Sequence, residues 1–205
     1  MAKIDLKKEL GHLYKAPRKP EMVDVPPLKY IMVDGTGDPN DNEWFGEATG
    51  ALYAVSYTLK FKLKKGNLAK DYVVMPLQGL WWAEDMEVYL MDARKDWKWT
   101  LMILQPEEVT QGMFQEACRE VLKKKGLEAV DHLRFETYRE GSVAQVMHIG
   151  PYAEEAPTIA ALHQFIQDEG RLPEGRHHEI YLGDPRRTAP ERLKTILRQP
   201  VGHGE

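Results

Sequence analysis

The order strand, helix, strand occurs twice along the chain, and this recurrence limits the possible folds more than any single motif does. In the first pass, "YIMVDG" reads as a strand, a loop follows, and "WFGEATGALYAVSYTLKFKLKKG" reads as a long helix ending at Gly66. Ala48, Leu52, Val55, Leu59 and Leu63 recur at helical spacing. Lysines crowd the last turn, which suits the helix dipole and a left-handed glycine cap. "DYVVMPLQGLWW" is the next strand, and "KWTLMILQ" a further one paired with it across "AEDMEVYLMDARKDW". In the second pass, "AQVMHIG" is the strand, "PYAEEAPTIAALHQFIQDEG" the helix ending at Gly170, and "HEIYLG" the strand after it. Ala156, Ile159, Leu162 and Phe165 or Ile166 share a helix face, with Pro157 in the first turn. Two similar α+β halves around a pseudo-twofold axis follow from this plan, with a groove between them as a natural ligand site.

The remaining segments fill in around the doubled plan. Pro106 is expected to open a helix that "KKKG" closes at Gly126. "HLRFETYRE" and "SVAQVMHIG" read as a hairpin around Glu140-Gly141-Ser142. "APERLKTILRQ" reads as a short last helix started by Pro190. The first 27 residues end in "APRKPEMVDVPP", whose prolines and scattered charges predict an extended arm. One domain is therefore expected over residues 28–205, its halves spanning about 28–104 and 105–205.

Charge and cysteine content exclude several functions. The net charge of −4 draws the chain neither to nucleic acid nor to an anionic membrane. The single cysteine, Cys118, lies in a predicted helix, excludes a disulfide within the chain and reads as a packing residue. No signal-like or membrane-length apolar run is present, so a cytoplasmic location is expected. "GTG" at Gly35 to Gly37 lacks the third glycine and the context of a dinucleotide loop. "DPNDNEWFGEAT" has Glu43 where a calcium loop needs glycine and Thr49 where it needs glutamate. His148, His177 and His178 fit no metal spacing. Neither a metal nor another cofactor is expected. "KKK" at 123–125 and "RR" at 186–187 read as solvated charge.

The candidate chemistry lies where acids and aromatic residues alternate. "HHEIYLGDPRRT" reads as a strand with His178, Ile180 and Leu182 on one face and Glu179 and Tyr181 on the other, about 6.6 Å apart along the strand. Glu136 and Tyr138 repeat the Glu-x-Tyr pattern. Trp81 and Trp82 end a strand that Tyr72 begins. Aromatic rings with convergent carboxylates suit a flat or cationic organic ligand, through stacking, cation–π attraction and charge pairing.

"MPLQGLWW", "KWTLMILQPEEVT", "HIGPYAEEAPTIAALHQFI" and "HHEIYLGDPRRTAPERLKTILRQPV" together resemble the stand-alone GyrI-like, or gyrase-inhibitor-like, small-molecule-binding proteins. The likeness runs from about Pro27 to the C-terminus. It implies a duplicated SH2-like βαββ fold with a ligand cleft between the halves, related to the effector-binding domains of multidrug-responsive regulators. Those regulators carry a helix-turn-helix ahead of this domain. The roughly 27 residues preceding it here are too short and Pro-rich for one, so no direct nucleic-acid partner is expected.

Some stand-alone members resemble hydrolases that open the cyclopropane ring of DNA-alkylating natural products. On that likeness, Glu179 is the expected base or water orienter, and Glu155 the second acid. Tyr72 and Tyr138 would be hydroxyl donors, and Trp81, Trp82 and Tyr152 cleft walls. Tyr181, Glu136 and His148 complete the expected ligand contacts. The alternatives are binding of lipophilic cationic compounds without turnover, and a protein-interaction role such as gyrase inhibition. The sequence leaves oligomeric state open.

Overall fold

The computed structural model describes residues 3–66, 70–83 and 97–203. In chain order the elements are β1 (Lys3–Ile4), α1 (Leu6–Glu9), α2 (Gly11–Tyr14), β2 (Glu21–Val25), β3 (Leu28–Thr36), α3 (Glu43–Lys65), β4 (Asp71–Tyr72), β5 (Leu77–Trp82), β6 (Lys98–Leu104), α4 (Gln111–Lys125), β7 (Arg134–Tyr138), β8 (Gly141–Ile149), α5 (Ala156–Asp168), β9 (Arg171–Pro173), β10 (His177–Tyr181) and β11 (Lys194–His203). The chain is α+β, and apart from the short parallel pair β1 and β4 the strand pairings described below are antiparallel. The order strand, helix, short strand, strand, strand occurs twice, as β3-α3-β4-β5-β6 and as β8-α5-β9-β10-β11. Among the described residues, no helix is long and apolar enough to cross a membrane.

The chain divides into two compact units. The first comprises Met1–Glu9, Leu28–Leu77 and Trp82–Tyr138. Here β3 lies between β6 and β7, with Tyr30 opposite both Leu104 and Glu136. Asn42 starts α3 by accepting a hydrogen bond from the Trp44 backbone N–H at 3.0 Å. The face carrying Ala48, Leu52, Val55, Leu59 and Leu63 is buried, as the helical spacing predicts. Gly126 ends α4 in the left-handed conformation at φ 63°. Gly66 does not do the same for α3: its φ of −81° and ψ of −177° are extended, so the expected left-handed cap is absent there.

The second unit comprises Leu10–Pro27, Gln78–Trp81 and Arg139–Glu205. Its strand order is β2-β8-β11-β10-β5, with β9 also on β11. α5 covers one face, burying Leu162 and Ile166 against Ala144, Val146 and Leu197. The opposite face mixes polar Gln145, Arg198, His178 and Gln78 with apolar Val143, Leu80, Ile180 and Ile196, and the N-terminal segment bonds to its polar members. There Gln145 donates to the His12 carbonyl at 2.8 Å, Arg198 donates to the Leu13 carbonyl, and Gln78 donates to the Tyr14 hydroxyl at 2.9 Å.

Five sequence expectations are corrected by this architecture. Residues 10–27 are no free arm: Leu13 is fully buried, and β2 pairs with β8 from Glu21↔Gln145 to Val25↔Gly141, its prolines bracketing the strand rather than interrupting it. β7 and β8 form no hairpin, because β7 pairs with β3 while β8 pairs with β2 and β11. The expected last helix is instead a single 3-10 turn, Pro190–Arg192, followed by the central strand β11. Pro106 precedes α4 by a turn, since Thr110 caps that helix on the Met113 N–H at 3.3 Å. The units divide between Tyr138 and Arg139 rather than near residue 104, because α4 packs on α3 and β7 pairs with β3. The connection expected between β5 and β6 lies mostly outside the described residues.

Candidate functional site

The second unit gathers Glu155, Glu179, Tyr181, Trp81 and Tyr152 around the start of α5 and the adjacent edge of its sheet. The period of two in β10 puts His177, Glu179 and Tyr181 on one face. The Tyr181 hydroxyl donates to Glu179 Oε2 at 2.8 Å. Trp81 Nε1–H donates to that same hydroxyl oxygen at 3.0 Å. The Tyr152 ring stands edge-on to Tyr181 with centroids 5.6 Å apart, and at 37% exposure it brings this aromatic group to solvent. The glutamate of "HHEIYLG" therefore meets a phenol on its own strand and an indole borne by β5, the neighbouring strand.

Glu155 reaches the site through a turn that only glycine makes cheaply. Gly150 has φ 145°, and a methyl group there would stand 3.2 Å from His148 Nε2. The turn leads through Pro151 and a 3-10 turn at Tyr152–Glu154 into α5. His148 ties this junction down: Nε2 donates to the Pro151 carbonyl at 3.3 Å, and Nδ1 meets Thr158 Oγ1 at 3.0 Å. His148 thus holds the start of α5 in place. The Glu155 side chain caps no helix N–H. It is 5% exposed, and among the described residues Oε1 has no hydrogen-bond partner.

Two buried carboxyls in electrostatic contact hold protons unusually tightly. Burial, reinforced by the charge of Glu179, pushes Glu155 up to about 9, with the Thr195 hydroxyl opposing. Burial pushes Glu179 up to about 7 against the hydrogen bond from Tyr181. The pair therefore holds a proton to higher pH than an exposed carboxyl does. Burial and the neighbouring carboxylates hold the Tyr181 hydroxyl far above its ordinary range, so it remains a donor. His177 Nε2 lies 3.7 Å from Glu179 Oε1, and burial pushes that ring down to about 3, leaving it neutral. Such a pair can donate a proton at one carboxyl and accept one at the other.

The other expected site residues belong to the first unit and have partners of their own. Tyr72 is fully buried, its hydroxyl 3.1 Å from both the Ser56 carbonyl and Gln105 Oε1, and burial raises it well above the ordinary phenol range. Tyr138 packs edge-on against Tyr30 with centroids 6.4 Å apart. Glu136 pairs with Arg134 at 3.2 Å. Trp82 ends β5 in a half-buried position. The hydroxyl on Glu179 is therefore that of Tyr181, not of Tyr72 or Tyr138. Thr195, His177 and Gly79 also belong to the site and were missed as candidates. Only His177 carried a signal, the alternation 177, 179, 181. Thr195 sits opposite both Tyr181 and His148 on β11, the strand mistaken for a helix.

The family pattern described as a GyrI-like small molecule binding domain matches residues 18–201. An uncharacterised conserved protein from Listeria innocua is 41% identical, with a TM-score of 0.90 over 97% of this chain and 100% of that one. A second Listeria innocua protein, described as a hydrolase, is 40% identical, with a TM-score of 0.86 and the same coverage. The C-terminal domain of the protein EcmrR shares the fold alone, at 11% identity and a TM-score of 0.55 over 91% of this chain and 98% of that one. No curated protein matches the chain.

Proposed function

The chain belongs to the GyrI-like small-molecule-binding family, and on that premise we propose that it hydrolyses small electrophilic aromatic compounds, with Glu179 as base and Glu155 as acid. The observation that carries this reading is the juxtaposition of two shielded carboxyls, Glu155, 5% exposed, and Glu179, which accepts from the Tyr181 hydroxyl at 2.8 Å, both pushed up by burial. Like charges in a low dielectric cannot both ionise freely, so one member stays protonated and the other titrates near neutrality, as acid and base chemistry at one site requires. The hydrolase from Listeria innocua, at 40% identity, supports turnover rather than binding alone.

The substrate class is a flat compound with a cyclopropane ring conjugated to a carbonyl. Water attacks the strained methylene carbon, and Glu179 takes a proton from it as the new C–O bond forms. The ring C–C bond breaks, its electron pair passes into the conjugated system, and the carbonyl oxygen becomes a phenol oxygen. Glu155 supplies the proton for that oxygen. The sum is addition of one water molecule. Afterwards Glu179 holds a proton and Glu155 is ionised, the reverse of the resting order, so the higher proton affinity of Glu155 returns the pair to its start. Tyr181 holds the Glu179 carboxylate in place, and Tyr152, 37% exposed, offers a ring against which a planar substrate stacks.

The test is a count of product. A cyclopropanoid alkylator in large excess over the protein should give many ring-opened, water-added molecules per protein by mass spectrometry. Glu179→Gln should lower kcat by about 10²- to 10⁴-fold, the usual contribution of a general base. One product molecule or none per wild-type protein overturns the hydrolase reading. A second reading then takes its place: an acidic site with aromatic walls, in which Glu155 Oε1 is buried without a partner, sequesters planar cationic compounds, and a cationic dye should bind it without being changed.

A further inference from the structure

An indole N–H donates and never accepts. Trp81 Nε1 lies 3.0 Å from the Tyr181 oxygen, so that oxygen accepts from the indole. The single hydroxyl hydrogen of Tyr181 is then directed at Glu179 Oε2, 2.8 Å away. The relay has one direction, from indole to phenol to carboxylate, and it ends on a carboxyl oxygen that must accept. It thereby distinguishes the two acids of the pair: Glu179 is held as the acceptor, and the shared proton is left to Glu155.

The backbone beneath this relay is specific. In the register of β5 with β10, Trp81 stands opposite His177 and Gly79 stands opposite Glu179. To reach Tyr181, the Trp81 indole must lie back along its own strand across the row that Gly79 occupies. A methyl group at position 79 would stand 2.7 Å from Trp81 Nε1 and 3.1 Å from the Tyr181 oxygen. Gly79 therefore clears the path, and Trp81, 3% exposed, fills it. The interlocking pairs are Gly79 with Trp81 on one strand and Glu179 with Tyr181 on the next.

Resting on the reading of Glu179 as base, we propose that Gly79 and Trp81 are positioning residues: together they fix the Tyr181 hydroxyl as a donor and keep Glu179 in the accepting state. Trp81 was expected as a cleft wall, and the relay gives its N–H a separate task. Trp81→Phe keeps an aromatic ring and removes the N–H donor, with some loss of ring volume. Gly79→Ala keeps the indole and displaces it.

The test does not need turnover. Protein labelled with ¹³C at the glutamate carboxyl carbon is titrated by NMR, and the Glu179 signal is assigned by its loss in Glu179→Gln. In Trp81→Phe and Gly79→Ala the Glu179 midpoint should move up by about one pH unit, the size of a weakened charge-assisted hydrogen bond. A midpoint unchanged in either folded variant overturns the proposal. Should neither variant fold, the Trp81 indole N–H resonance of otherwise wild-type protein decides. It should move upfield in Tyr181→Phe, and an unmoved resonance overturns the relay. The two readings fail separately. Wild-type protein without turnover sinks the hydrolase and leaves the titration to speak for the relay. Turnover with an unmoved Glu179 midpoint sinks the relay alone.

Discussion

Glu140 and Glu155 both lie in the second unit, and both are withdrawn from water, with the Glu140 side chain 1% exposed and the Glu155 residue 5% exposed. Their proton affinities move in opposite directions. Burial alone would raise Glu140. The facing His178 ring, 2.8 Å from Oε1, and the Arg198 guanidinium, 3.5 Å from Oε2, outweigh it and hold the carboxyl below its ordinary range. Among the described residues no such cation faces Glu155, and burial prevails. Burial thus sets the stakes for a carboxyl, and the groups facing it set the sign. The two acids also serve opposite faces of the sheet. Around Glu140, the ring of His178 continues to Gln78 at 3.0 Å, and Arg198 donates to Gln145 at 3.0 Å, so these groups form one connected network. Among the described residues an oxygen lacks a hydrogen bond in each case, Glu140 Oε2 and Glu155 Oε1, but Glu140 Oε2 faces the Arg198 guanidinium at 3.5 Å while Glu155 faces the charge of Glu179.

The sharpest way to break the comparison is Glu140→Gln. Removing the carboxylate strands Arg198 and His178 in a buried setting, and the loss of one member of such a pair costs about 3–5 kcal/mol. Urea unfolding should show a fall of that size together with loosening of residues 10–27, which hydrogen exchange at Leu13 and Tyr14 reads. A variant as stable as the wild type would mean that the Glu140 network adds nothing to cohesion, and the contrast with Glu155 would fail.

Glu155→Gln should act in the opposite sense, through pH. A carboxyl whose folded-state value is raised binds more protons folded than unfolded. Its effect is neutral below the ordinary 4.5 and increasingly destabilising as pH rises toward about 9. Glu179 adds a similar decline between 4.5 and about 7. Wild-type stability should therefore fall across this window, and Glu155→Gln should flatten the fall. The variant gains on the order of a few kcal/mol over the wild type at the upper end. Urea midpoints at several pH values across the window check this, and parallel slopes for the two proteins would refute it.

The sequence made one side of this contrast visible and hid the other. Alternation in "HHEIY" was enough to put Glu179 and Tyr181 on a common face, because the side-chain period of a strand is two. Glu155 was marked by its place at a helix start. The Glu140 network had no local signature: His178 lies 38 residues from Glu140 and 100 from Gln78, and each contact depends on strand pairing. The hardest miss was β11. Between β8 and β10 it is buried on both faces, with Thr195, Ile196, Leu197 and Arg198 all inside, so it shows no alternation. Leu193, Ile196 and Leu197 then imitate helical spacing behind Pro190. Misreading that strand removed Thr195 from the candidate list.

Thr195 supplies the smallest test. It is fully buried, and its hydroxyl closes no hydrogen bond of ordinary geometry, yet it draws the proton affinity of Glu155 down. Thr195→Val keeps the branched shape and removes only that hydroxyl. Two small effects should follow. The loss of an unmatched buried hydroxyl changes stability at low pH by less than about 1 kcal/mol, since little was gained by burying it. With that hydroxyl gone, Glu155 should hold its proton more tightly, so the decline in stability extends to higher pH and the carboxyl ¹³C midpoint of Glu155 rises. Glu140, on the other side of the sheet, should titrate as before. If Thr195→Val moves Glu140 as much as Glu155, the two faces of the sheet share one electrostatic environment, and the division between a cohesive face and a reactive one does not hold.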